Sequence, residues 1–157
     1  DADFGCTAVV AVLSLGEGER TAVVGNLGDS PALLLTAEAD SVSATALSEA
    51  HTVESAGEAA RLRTDHASSA TVHGGYLVAV GGPLAGHGLQ PTRSLGHPIL
   101  SRHGVIATPH VRVCALGDGG DDEPFAMVLC SDGVSDHVDD RAIGDAVAQA
   151  HPLQAFA

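Results

Sequence analysis

The chain has 157 residues, enough for one domain with its own core, and its 45% apolar content separates it from disordered sequences. Seven Lys and Arg against twenty Asp and Glu give a formal net charge of −13, which disfavours nucleic-acid and acidic-membrane partners on electrostatic grounds. Aromatic residues make up only 3% of the chain, so the core is expected to be built from Ala, Val and Leu, with modest stability.

Residues 6–15 (CTAVVAVLSL) are apolar and β-branched and predict a buried strand, followed by a turn at residues 16–19. A second strand is expected over 20–26, a tight turn over 27–30 and a third strand over 32–36. Short strands joined by short turns imply an antiparallel meander. Residues 52–63 (TVESAGEAARLR) carry Glu and Arg at helical spacing behind Thr52 as a cap, and predict a helix. A polar stretch over 64–75 contains a short strand near 71–73, another strand covers 76–80, and the four glycines of 81–88 mark a loop. Extended segments are expected at 105–109 and 111–116, an acidic solvated turn at 118–123, and a buried strand at 125–130 (FAMVLC). Residues 141–150 form an amphipathic helix pattern with Ile143, Val147 and Ala150 on one face. Strands followed by helices with little alternation indicate a layered α+β architecture.

Cys6, Cys114 and Cys130 are odd in number and lack CxxC spacing, which argues against a disulfide framework and against a zinc site. They suit free thiols in a reducing compartment, cytoplasmic or nuclear, and the apolar runs around Cys6 and Cys130 predict that both are buried. No apolar stretch approaches the ~20 residues of a membrane span, and no basic segment followed by an apolar block marks a signal peptide. The chain opens at Asp1 without an initiator Met and reaches a strand pattern within a few residues, as a fragment of a longer protein would.

Two carboxylates stand where functional ones often do. Asp29 follows Gly28 at the end of a strand, and Asp132 precedes Gly133 after the most apolar strand of the C-terminal half. A carboxylate at a strand end projects from a rigid scaffold, and its glycine neighbour permits a sharp change of direction. Hard cations such as Mg²⁺ take oxygen donors of this kind, while each pair on its own is also ordinary turn chemistry. Other groups point nowhere in particular. His66, His73, His87, His97, His103 and His110 are scattered through loops without HxH or HExxH spacing, so they read as solvated or satisfied. Ser30 and Ser131 lack a GxSxG elbow, and Asp121-Asp122-Glu123 lacks the pattern of a calcium loop.

Taken in order, six segments carry a more specific signal. Gly5-Cys6-Thr7-Ala8 resembles a Gly-Ser/Cys-Thr-Ala strand, and Asn26-Leu27-Gly28-Asp29-Ser30-Pro31-Ala32 resembles an Asn-x-Gly-Asp-Ser-Arg-Ala hairpin. Leu47-Ser48-Glu49-Ala50-His51, with Glu54, Glu58 and Arg61, resembles a Leu-Ser-x-Asp-His segment and a helix ending in Glu-x-x-Arg. Thr92-Arg93-Ser94-Leu95-Gly96-His97, the stretch from Gly104-Val105 to Pro109, and residues 125–136 (FAMVLCSDGVSD) complete the series. Together they resemble the metal-dependent serine/threonine protein phosphatases of type 2C, the PPM family, over residues 5–150.

That resemblance implies an antiparallel β-sandwich flanked by helices, present here as a partial domain spanning 1–157. It implies two Mg²⁺ or Mn²⁺ ions, with Asp132 as a metal ligand and Asp29 the match for a more weakly held metal. A metal-activated water would attack phosphoserine or phosphothreonine of a phosphoprotein substrate. The family's Asp-Gly-His-Gly-Gly motif, its phosphate-binding Arg and its closing Asp-Asn pair have no match in this sequence, so this polypeptide is not expected to hold the dinuclear centre alone. Pro31 replaces an Arg, Ala50 and His97 each replace an Asp, and Ser135 replaces a Trp. These departures give the alternative expectation: a catalytically degenerate member, a pseudophosphatase serving as a binding or regulatory module.

Overall fold

The computed structural model describes residues 3–15, 19–37, 41–116 and 125–150. The predicted turn at 16–19 lies mostly outside these residues, and that at 118–123 wholly outside. In chain order the elements are β1 (Gly5–Cys6), β2 (Ala8–Ser14), β3 (Thr21–Leu27), β4 (Ala32–Ala37), β5 (Val42–Ala46), α1 (Ala56–Asp65), β6 (Ala70–His73), β7 (Tyr76–Ala79), β8 (Gly88–Leu89) and β9 (Leu95–Gly96). A 3-10 turn (Leu100–His103), β10 (His110–Ala115), β11 (Phe125–Leu129), α2 (Asp132–Ser135) and α3 (Asp140–Ala150) complete them. The chain divides into two units, the first made of residues 1–8, 27–29 and 50–109, the second of 9–26, 30–49 and 110–157.

The second unit is a β-sandwich. One sheet has the order β10-β3-β2 and the other β11-β4-β5, and their inner faces meet through Val9, Ala11, Val24, Ala32, Leu34, Leu47, Cys114 and Met127. Alternation along each strand produces this, because every second residue of β2, β3 and β4 faces the facing sheet. β4 is covered on both sides: Leu33 and Leu35 point outward onto Ile143 and Val147 of α3. Gly144 faces Leu35, Val42 and Ala44, where an added Cβ would meet only ordinary van der Waals contact. Asp139 starts α3 by accepting the Ala142 N–H at 2.8 Å.

The first unit joins α1 to the antiparallel sheet β6-β7-β8 around Val53, Leu62, Leu77, Ala79, Leu100 and Val105. A two-stranded ladder pairs Gly5 with Gly96 and Cys6 with Leu95. The N-terminal segment is fastened further by Asp3, whose carboxylate accepts the N–H groups of Ile99 at 2.8 Å and Leu100 at 3.2 Å and lies 3.3 Å from His97 Nδ1. Burial opposes the charge on Asp3, but these amide and imidazole contacts outweigh it and hold its pKa below the usual value.

The α+β architecture stands as expected, with several local corrections. The meander fails at residues 27–30: β3 and β4 lie in different sheets, so this turn carries the chain between sheets instead of closing a hairpin. Gly28, at φ +106°, supplies the change of direction. Helix α1 begins at Ala56 with Ser55 in the cap position, because Thr52 is held in an extended bridge to Pro91. Within the stretch 105–109, expected to be extended, Ile106 forms an isolated bridge to Arg93. Cys6 is exposed, against expectation, and Cys114 and Cys130 are partly buried; β1 is a two-residue strand too short to bring cover over Cys6. Burial and then Asp140 push the Cys130 thiol pKa up. His73 and His110 lie in strands and His103 in the 3-10 turn, so the histidines are not confined to loops. Ala150 is exposed although Ile143 is buried on the same helix.

One surface carries a consequence for solution behaviour. The outer face of sheet β2-β3-β10 presents Val10, Val12, Val23, Val111 and Val113, between 39% and 67% exposed. The remaining outward positions, Ala8, Ser14, Thr21, Gly25 and Ala115, bear no charge either. A solvent-facing antiparallel sheet normally alternates to polar side chains, and an uncharged apolar face of this kind promotes association. At micromolar concentration the 157-residue chain is therefore expected to self-associate. Val12→Lys combined with Val113→Lys should shift its sedimentation toward monomer; an unchanged distribution would refute this role for the face.

Candidate functional site

Asp132 is the first residue of α2, three positions past the last residue of β11. The strand forms because Phe125 to Leu129 pair in register with Thr36 to Ala32 of β4, and Cys130 extends the ladder by donating its N–H to the Pro31 carbonyl at 3.3 Å. The helical turn then begins, and Asp132 Oδ1 accepts the Gly133 N–H at 2.8 Å, which fixes one carboxylate oxygen. The side chain is exposed. An exposed carboxylate on a rigid strand end has the donor chemistry of a ligand to Mg²⁺ or Mn²⁺, ions that commonly take one or two carboxylates and keep several waters.

Asp29 is half-buried and follows Gly28 directly. Space for the Gly28 peptide is tight: an added Cβ would lie 2.3 Å from Thr7 Cγ2 and 3.3 Å from the Arg93 carbonyl oxygen. Gly28 donates its N–H to His51 Nδ1 at 3.1 Å and accepts the His51 N–H at 3.0 Å. Asp29 belongs to the first unit and Asp132 to the second. Among the described residues, no group of three or more His, Cys, Asp and Glu side chains is placed to hold a metal ion.

Beside the Asp29 turn, the first unit is organised by a buried ionic cluster whose role sequence reasoning did not assign. Glu58 is 4% exposed and sits one helical turn from buried Leu62, so the inward face of α1 carries a carboxylate. Its Oε2 accepts Arg61 Nη2 at 2.7 Å and Thr92 Oγ1 at 2.7 Å, and its Oε1 accepts Arg93 Nη2 at 2.6 Å and Nε at 3.0 Å. The guanidinium groups continue to backbone: Arg61 Nη1 reaches the Gly104 carbonyl at 2.8 Å and Arg93 Nη1 the Thr108 carbonyl at 2.9 Å. Burial alone would raise the Glu58 pKa. The hydrogen bonds from Arg93, Arg61 and Thr92, with the Arg61 charge, override it and bring the value down to about 2. The Glu-x-x-Arg spacing was the available signal; nothing in the sequence tied it to Thr92-Arg93 across the fold.

The fold is mixed with mainly antiparallel sheets, Asp29 lies in the turn after β3, and the Asp132-Gly133 pair opens the short helix α2. A family model for protein phosphatase 2C matches residues 1–152. The chain belongs to the protein phosphatase 2C family.

Among solved structures, the serine-threonine phosphatase 2C from Toxoplasma gondii superposes with a TM-score of 0.73 at 22% identity, covering 94% of this chain and 48% of its own. A sex-determining protein of C. elegans superposes with a TM-score of 0.67 at 23% identity, covering 92% of this chain and 31% of its own. At these identities the likeness is one of fold, and the chain spans about half or less of each structure's length. No curated protein sequence gives a significant match.

Proposed function

We propose that the protein containing this chain is a Mg²⁺- or Mn²⁺-dependent serine/threonine phosphatase that hydrolyses phosphoserine and phosphothreonine in phosphoproteins. The observation that carries this reading is Asp132: an exposed carboxylate that opens α2 just past β11, one oxygen oriented by the Gly133 amide, in a chain of the protein phosphatase 2C family. Asp132 would hold a metal ion, and Asp29, on its immobilised turn, would hold a second and weaker one. Bound metal supplies an acidified water and neutralises phosphoryl oxygens. The chain's own contribution is to orient these carboxylates, Asp132 through the Gly133 amide and Asp29 through the turn that Gly28 begins. Among the described residues no group of three or more His, Cys, Asp and Glu side chains is placed to hold a metal ion, so the 157-residue chain by itself is expected to be inactive. The free thiols support a reducing compartment, cytoplasmic or nuclear, for the parent protein. Among the described residues, no helix is long and apolar enough to cross a membrane.

A second reading, a non-catalytic member of the family acting as a binding or regulatory module, has one specific observation in its favour. His97 occupies the position where the family motif has Asp, and its ring is committed to Asp3 while its backbone adopts φ +50°, rare for a residue with a side chain. Phosphate release from a phosphothreonine peptide by the full-length protein, with Mn²⁺ and with EDTA, separates the two. Turnover that requires Mn²⁺ supports the phosphatase; no turnover at any Mn²⁺ concentration supports the module.

A further inference from the structure

We infer that His51 is a positioning residue for Asp29, acting through the Gly28 peptide that precedes it; the metal part of this inference rests on the reading of Asp29 as a ligand. Both polar backbone groups of Gly28 are bound by this one residue. The Gly28 N–H donates to Nδ1 of the imidazole at 3.1 Å, and the Gly28 carbonyl accepts the His51 N–H at 3.0 Å. His51 is 3% exposed and is itself anchored, its carbonyl accepting the Thr92 N–H at 2.7 Å. Thr92 and Arg93 are in turn held by Glu58. A continuous series of bonds thus runs from the buried ionic cluster to the peptide that aims Asp29.

The local chemistry explains why an imidazole stands there. At φ +106° the Gly28 peptide leaves the direction of the β3 ladder, and a buried N–H without an acceptor is costly. A backbone N–H only donates, so Nδ1 must be the unprotonated nitrogen, which fixes the tautomer with the proton on Nε2. Thr7 and the Arg93 carbonyl crowd the Cα of Gly28, so the peptide has little freedom to seek another acceptor. An imidazole accepting at Nδ1 is mimicked by Asn, whose Oδ1 occupies the Nδ1 position. Gln places its carbonyl too far out, where Nε2 stands, and Leu offers no acceptor.

The test compares His51→Asn, His51→Gln and His51→Leu by two measurements. Hydrogen exchange of the Gly28 amide and Mn²⁺ affinity by calorimetry are both measured in the full-length protein, beside Asp29→Asn. His51→Asn should keep the amide protected and the affinity near wild type. His51→Gln and His51→Leu should lose protection and weaken Mn²⁺ binding by roughly 10–100-fold, the range for loss of a group that orients a ligand. If His51→Leu does not fold, the Asn and Gln variants carry the comparison. Equal protection in Asn and Gln variants would overturn the bracing role. Loss of protection without loss of affinity, where Asp29→Asn does lose affinity, would overturn the positioning role. If Asp29→Asn binds Mn²⁺ as wild type does, the ligand reading of Asp29 fails and the metal role of His51 falls with it, while the amide measurement still decides the bracing.

Discussion

Replacing Glu58 with Ala is expected to destabilise the chain by roughly 3–5 kcal/mol, the cost of breaking a buried ion pair by removing one partner. The cause is what the substitution leaves behind. Arg61 keeps the backbone carbonyls of Gly104 and Thr92 and Arg93 that of Thr108, but both lose the carboxylate that pairs with them, and the fully buried Thr92 hydroxyl loses its acceptor. Glu58→Gln keeps the shape without the charge and should lie between wild type and Ala. The pH dependence follows from the same contacts. Glu58 titrates at about 2 in the folded chain, below its ordinary value of 4.5. A depressed carboxylate contributes stability that is fully present above the unfolded pKa and is lost as pH falls toward the folded one, here across the window from 4.5 to about 2. The difference corresponds to roughly 3 kcal/mol. Urea midpoints at pH 7 and pH 3 should converge in Glu58→Gln relative to wild type, and an equally steep acid loss in both would refute the assignment.

The second large effect is expected at Asp132. Asp132→Asn keeps the size of the side chain and one oxygen, and exposure means that the fold should tolerate it, with stability changed within about 0.5 kcal/mol. Turnover should not survive so well. Loss of an outer-shell partner typically costs 10–100-fold in metal affinity or activity, and a direct ligand should cost at least the upper end, roughly 100-fold. Mn²⁺-dependent phosphate release from a phosphothreonine peptide, measured for the full-length protein and its variant, checks both parts. Activity retained within a few-fold would remove Asp132 from the metal site.

Much of the fold was legible because strand signals in this chain are strong. The valines of β2 and β3 and the FAMVL of β11 announce themselves by β-branching and apolar runs. β5 escaped because its sequence, VSATA, is half-exposed and small, and it becomes a strand only by pairing along β4 from Leu33 to Ala37. The turn at Gly28 looked like a hairpin because sequence specifies a change of direction but not which sheet receives the next strand. Asp29 and Asp132 were visible as strand-end carboxylates next to glycine. The supports behind the Asp29 turn were not, since the His51 contact to Gly28 spans 23 residues and the Arg93 contact to Glu58 spans 35, separations that no local pattern encodes. The exposure of Cys6 was missed for a related reason, because burial depends on what packs over a strand and not on the strand's own hydropathy.

The most direct test of the central claim is anomalous diffraction from crystals of the full-length protein grown with Mn²⁺. An anomalous peak is expected at roughly 2.0–2.6 Å from a carboxylate oxygen of Asp132, with waters completing an octahedral shell. Well-ordered density for residues 130–136 with no peak at Asp132, under conditions where the protein releases phosphate, would contradict it.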